Sequence, residues 1–121
     1  MSYDETNIFA RILRGELPCN KVYEDEHALA FHDIHPQAPI HVLVIPKGAY
    51  VSLADFSAGA SAAELAGFFQ AVGKVARELG LEGDGYRVLA NHGAHSNQEV
   101  PHFHVHIMGG RPLGPLLARS G

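Results

Sequence analysis

His102-Phe103-His104-Val105-His106-Ile107 alternates an imidazole with an apolar side chain at every step. A β-strand sends successive side chains to opposite faces, so the spacing predicts a strand with three imidazoles in one row and Phe103, Val105 and Ile107 on the reverse face. Neighbouring histidine Cα atoms would lie about 6.6 Å apart and the outer pair about 13 Å apart. Such a row could flank a phosphate or give two ligands to a metal.

The rest of the chain bounds what that strand belongs to. With 121 residues, 46% of them hydrophobic, it reads as one domain over 1–121, large enough to bury about two-thirds of its unfolded surface. A net charge of −4 without a Lys/Arg block argues against a nucleic-acid polymer as partner. The single Cys19 can form neither an internal disulfide nor a cysteine-based zinc site, which fits a reducing compartment. The polar, acidic start lacks the features of a signal peptide and no apolar run approaches a membrane span, so a cytoplasmic protein without membrane association is expected. Histidine is the unusual residue, with nine copies.

Elsewhere the periodicities divide the chain into short elements. Thr6 is placed to cap a helix whose Ile8, Phe9, Ile12 and Leu13 share a face, stopped by Gly15 and Pro18. Val22–Glu24 and Ala28–Phe31 read as a hairpin about Asp25-Glu26-His27. A proline-punctuated loop follows from His32 to Pro39. Ile40–Ile45, apolar except for His41, reads as a buried central strand ending at Pro46-Lys47-Gly48. From Ser61 the period lengthens: Leu65, Phe68, Phe69, Val72, Val75, Ala76 and Leu79 mark a long helix with a Ser61/Glu64 capping box and a Gly80 stop. Gly67 and Gly73 inside it each cost about 1 kcal/mol relative to Ala and suggest close backbone packing. Tyr86–Ala90 reads as a strand, and a polar loop over 91–99 leads to the histidines. Without regular βα alternation, the order predicts an α+β fold with two helices and a five-stranded antiparallel sheet.

Three readings compete for the histidine row. Partly exposed surface histidines are the plainest. Metal binding is the second, with His102 and His104 supplying two ligands and His41 or Asp33 completing the shell. Covalent catalysis at phosphorus is the third, because neutral imidazole is a competent nucleophile near pH 7 and clustered imidazoles disfavour one another's protonation. The pattern alone leaves the second and third close. A nucleotide-binding module without turnover is a fourth possibility, outside enzymology.

More of the chain weighs on the choice. His102 to Arg111, His-Phe-His-Val-His-Ile-Met-Gly-Gly-Arg, resembles the motif that names the histidine-triad superfamily, and Gly109-Gly110-Arg111 resembles its nucleotide-binding phosphoramidase branch. His32 to Lys47 is similar to that branch's second signature, and Ile8-Phe9-Ala10-Arg11-Ile12 with Gly15-Glu16-Leu17-Pro18 to its first helix. The resemblance covers residues 7–111, leaving 112–121 as a tail. It implies a homodimer whose subunits join into a continuous ten-stranded sheet. It also implies a substrate made of a purine nucleoside monophosphate bonded through phosphorus to an amine or another group, such as an adenosine phosphoramidate or an aminoacyl-adenylate. No cofactor and no metal are implied.

By the same resemblance His104 is the nucleophile, forming a nucleotidyl-histidine that water hydrolyses. His102 and His106 hold phosphate and leaving-group atoms, and His41 supports the cluster. Asp33 would accept hydrogen bonds from the ribose hydroxyls; the plainer reading is a loop Asx-turn. Ile8, Phe9, Ile12, Phe31, Ile34 and Leu43 would wall the base pocket, with core packing as their plainer reading, and His32 would line it. Asn91, Asn97, Gln98 and Glu99 belong to the phosphate and leaving-group side. Some bacterial relatives carry a Cys-x-x-Cys zinc site around the first helix; Asn7 and Ala10 stand there. Glu99 replaces the serine of animal members, which points to an altered leaving-group preference.

Overall fold

The structure, a computed structural model, describes residues 3–117. The first helix, α1, is Ile8–Leu13. Its cap lies one residue later than expected: Thr6 donates both its N–H and its hydroxyl to the Asp4 carboxylate. Asn7 takes the capping position, its Oδ1 accepting the Ala10 N–H at 2.9 Å. Strands β1 (Lys21–Glu24) and β2 (Ala28–His32) form the expected hairpin. Asp25 closes the turn by accepting the N–H groups of His27 and Ala28. β3 (Ile40–Pro46) is the central strand, buried from His41 to Pro46.

Between β3 and the long helix the sequence reading left out an element. Leu53–Gly59 forms α2, capped by Ser52, with Asp55 completing a capping box. Three helices therefore stand where two were expected, and Ser52-Leu53-Ala54-Asp55 carried the signal. The long helix α3 (Ala62–Glu78) has the Ser61/Glu64 box and is followed by Gly80 at φ +74. β4 is Tyr86–Leu89, a short turn of helix covers Ala94–Ser96, and β5 is Val105–Gly109. The antiparallel sheet has the order β1-β2-β3-β5-β4. Among the described residues no helix is long and apolar enough to cross a membrane.

The strand expected over His102–Ile107 is shorter at its start, with ladder pairing beginning at Val105 opposite Val44. The next partner position reaches Pro46, which has no N–H to continue the ladder. The Phe103 N–H turns instead to the Tyr50 carbonyl at 2.7 Å. His102–His104 is thus a lead-in held by side chains and loop carbonyls.

The two faces of the sheet have different fillings. One packs Ala28, Ala30, Val42, Val44, Val105 and Ile107 under α2 and α3. Phe103 stacks there on Phe56 at 5.0 Å between centroids and lies 5.4 Å from Phe68. The other face carries Leu29, Phe31, Leu43 and Ile45, covered by Phe9 of α1. Only one of the two helix glycines meets the close packing expected of both. An added Cβ at Gly67 would collide with the His27 ring, whereas one at Gly73 would meet nothing within 4 Å.

Gly67→Ala is accordingly expected to destabilise by about 1–3 kcal/mol through overpacking, and Gly73→Ala to stabilise by about 0.5–1 kcal/mol through helix propensity. Urea unfolding midpoints of the two variants check this; equal shifts would contradict it.

Candidate active site

His41 pairs with Met108 and Leu43 with His106 across the β3–β5 ladder. His41 and His106 are therefore diagonal neighbours on one face, a spacing that aromatic side chains can bridge. Their rings meet with His41 Nε2 2.9 Å from His106 Nδ1. His104, at the mouth of β5, places its ring 5.1 Å from that of His106.

The partners of these rings fix where the protons lie. The Gln37 backbone N–H donates to His41 Nδ1 at 3.0 Å, so His41 carries its proton on Nε2. That N–H points at His106 Nδ1, which must then accept, leaving the His106 proton on Nε2. Among the described residues His106 Nε2 is buried and has no hydrogen-bond partner. A buried donor of this kind calls for a partner that the protein does not supply. The Asp33 carboxylate, 3.4 Å from His41 Nε2, lies beyond the shorter His106 contact and acts chiefly through its charge.

His104 is fixed by its own chain. Its Nδ1 lies 2.8 Å from the His102 carbonyl, which only accepts, so Nδ1 bears the proton and Nε2 keeps a free lone pair. Burial holds His41, His102 and His104 below the ordinary imidazole range. His106 is pushed down to about 4, by burial first and then by His104 and His41 beside it. The cluster is thus a set of neutral imidazoles at neutral pH, the form in which imidazole attacks.

His102 lies elsewhere. It is fully buried, with Nε2 donating to the Pro46 carbonyl at 2.9 Å and Nδ1 accepting from the Tyr3 hydroxyl. Both ring nitrogens are committed to the protein, so the structure does not bring this ring to a phosphate, nor does it assemble the metal set His102, His104 and His41. Among the described residues Asp33, His41 and His106 are the group whose donor atoms gather closely enough for a metal, all within 4.8 Å.

The apolar side of the site is built from α1 and the sheet. Phe9 stands edge-on to Phe31 at 5.5 Å and to His104 at 5.0 Å. Phe9, Phe31 and Leu43 are buried and Ile12 packs against them. Ile8 and Ile34 are 53% and 85% exposed, leaving both open to a ligand. His32 is exposed at the end of β2. Asp33 forms the Asx-turn, its Oδ1 accepting the His35 N–H at 2.8 Å, while Oδ2 faces His41.

The loop before β5 is tied by Gln98. Its amide nitrogen donates to the Val51 and Val100 carbonyls and its oxygen accepts the Gly93 N–H. Asn97 supplies the left-handed turn at φ +60. Asn91 is half-buried beyond β4, and Glu99 is exposed, its negative charge acting on His104. Sequence reasoning missed Tyr3, Gln37 and Pro46. Gln37 and Pro46 act through backbone atoms, which side-chain patterns do not reveal, and Tyr3 comes from a stretch without periodicity.

The HIT domain pattern matches residues 14–113, and the chain belongs to that family. It is 64% identical over 119 residues to an uncharacterized 13.2 kDa HIT-like protein of Azospirillum brasilense, covering 98% of each chain. It is 44% identical over 117 residues to the purine nucleoside phosphoramidase of Escherichia coli strain K12, covering 97% of this chain and 98% of that one. Among solved structures, the HIT family hydrolase from Clostridium thermocellum superposes with a TM-score of 0.85 at 38% identity, covering 95% of this chain and 99% of the other.

The depressed imidazoles make a signed prediction. An unfolded chain takes up histidine protons near pH 6.5, whereas folded His106 waits until about 4. Between those values the unfolded state binds more protons, so stability falls as pH drops from about 6.5 towards 4. Imidazole NMR should show His106 titrating near 4, with urea midpoints falling through the same window; titration of His106 near 6.5 would contradict it.

Proposed function

We propose that the protein is a metal-independent nucleotidyl hydrolase, a purine nucleoside phosphoramidase that cleaves a P–N bond through a covalent nucleotidyl-histidine. The carrying observation is the free His104 Nε2 lone pair beside the orphaned His106 Nε2–H. The first is a nucleophile, and the second is a donor suited to a phosphoryl oxygen.

The reaction balances with these groups. A phosphoramidate reacts as its N-protonated form, carrying one positive charge on nitrogen and one negative charge on the phosphoryl group. His104 Nε2 forms the new N–P bond, the old P–N bond breaks, and the neutral amine departs. The His104 imidazolium keeps its Nδ1–H on the His102 carbonyl, and His106 Nε2–H holds a phosphoryl oxygen throughout. Water then attacks phosphorus, releases the nucleoside monophosphate, restores neutral His104 and gives one proton to solvent. Asp33 reads the ribose, and the Phe9, Phe31 and Leu43 wall with Ile8 and Ile34 holds the base. Glu99 favours leaving groups that carry positive charge. A cation on Asp33, His41 and His106 would have to displace the His41–His106 hydrogen bond, so turnover is expected to survive a chelator.

Quenching turnover of a slow adenosine phosphoramidate and mapping the adduct should place the adenylyl group on His104. His104→Ala should lose at least 1,000-fold in kcat/KM, about 4 kcal/mol of barrier. Within the same substrate panel Glu99→Gln should narrow the preference for cationic over neutral amines about threefold or more. An adduct on another residue would overturn the assignment.

The proposal extends to a homodimer. β4 is a sheet edge, with Tyr86 and Val88 exposed on it; an open edge of this kind is a template for pairing with another strand. Joining β4 to its copy would give a ten-stranded sheet. Light scattering at the mass of two chains is expected, and Val88→Lys should shift it towards one.

A further inference from the structure

We propose that Tyr3 is a positioning residue for this site: its hydroxyl holds the buried ring of His102 in place, and the carbonyl of His102 in turn aims His104. The inference rests on His104 being the nucleophile.

The chain of hydrogen bonds allows one arrangement of protons. Pro46 offers His102 Nε2 a carbonyl at 2.9 Å, so Nε2 must carry the proton. Nδ1 is then a lone pair on a ring that is fully buried, and it needs a donor. Tyr3 supplies that donor from 99 residues away in sequence, its ring edge-on to His102 at 5.6 Å. Burial raises the Tyr3 phenol, so the hydroxyl keeps the proton that it donates. Phe9 also stands edge-on to His102, 6.4 Å away, and packs on His104.

Tyr3 is held in place by the turn that starts α1. Asp4 accepts from Thr6 through its carboxylate, and its carbonyl accepts the Asn7 side-chain amide at 2.7 Å. Asn7 then caps the helix that carries Phe9. The tyrosine is therefore delivered by the same element that covers the site. Without its hydroxyl the buried Nδ1 lone pair is left without a donor, and the ring, still bonded through its Nε2–H to Pro46, is drawn to find one. The ring then shifts, and the carbonyl that fixes His104 Nδ1–H shifts with it. The loss falls on the aim of the His104 lone pair, not on the pocket that binds the nucleotide.

Tyr3→Phe removes only the hydroxyl and leaves the ring. With an adenosine phosphoramidate of a fluorescent amine, kcat is expected to fall about tenfold while KM stays within twofold. In parallel, the ¹⁵N shift of His102 Nδ1 should move towards that of an unbonded lone-pair nitrogen in Tyr3→Phe, while Nε2 keeps its proton. A lower unfolding midpoint with kcat unchanged, or with the His102 Nδ1 shift unchanged, would make Tyr3 a purely structural residue and overturn the proposal. Parent protein that turns over no phosphoramidate would overturn the reading of the reaction, whereas turnover matched by Tyr3→Phe would overturn the role of Tyr3 alone.

Discussion

Pro46 has a carbonyl and no N–H, and the geometry of the site follows from that. The missing donor stops the ladder between β3 and β5 at Val44 and Val105. The remaining carbonyl is free to take the His102 ring at 2.9 Å. Because His102 is held by its side chain, its own carbonyl is left to orient His104. A residue with an N–H at position 46 would stand opposite Phe103 in this register and draw His102–His104 into the sheet.

The electrostatics are those of a neutral cage. Burial removes charge from the imidazoles, and each neighbouring imidazole makes protonation of the next less favourable. The charges acting on His104 are the carboxylates of Asp33 and Glu99. In the proposed reaction an anionic phosphoryl group in such a place would be held by oriented N–H dipoles, as in sites where preorganised donors replace full charges. Such a site does not concentrate every anion in its surroundings, as a cluster of lysines would.

Much of this was legible in the sequence because side-chain periodicity carries it. The alternation at 102–107 gave the direction of β5, the apolar run at 40–45 gave the central strand, and the 3.6-residue period from Ser61 gave α3. What remained hidden was written in backbone atoms. The family resemblance implied the same role for His102 and His106, yet Pro46 and Tyr3 turn the first inward while the second keeps an unpaired nitrogen. The α2 helix escaped because its seven residues show one buried side chain, Phe56, and so no repeating pattern. Gln98 looked like a phosphate ligand from its place in the motif, and its amide ties three loop segments together.

The order β1-β2-β3-β5-β4 also has a consequence in time. β4 precedes β5 in the chain, yet its neighbour in the sheet is β5, so a growing polypeptide has nowhere to dock β4 until the histidine strand has arrived. The same event brings His106 to His41, 65 residues earlier. Closing so long a loop is entropically slow and yields its return only when the strand is seated. Seating β5 therefore both completes the sheet and joins His41 to His106.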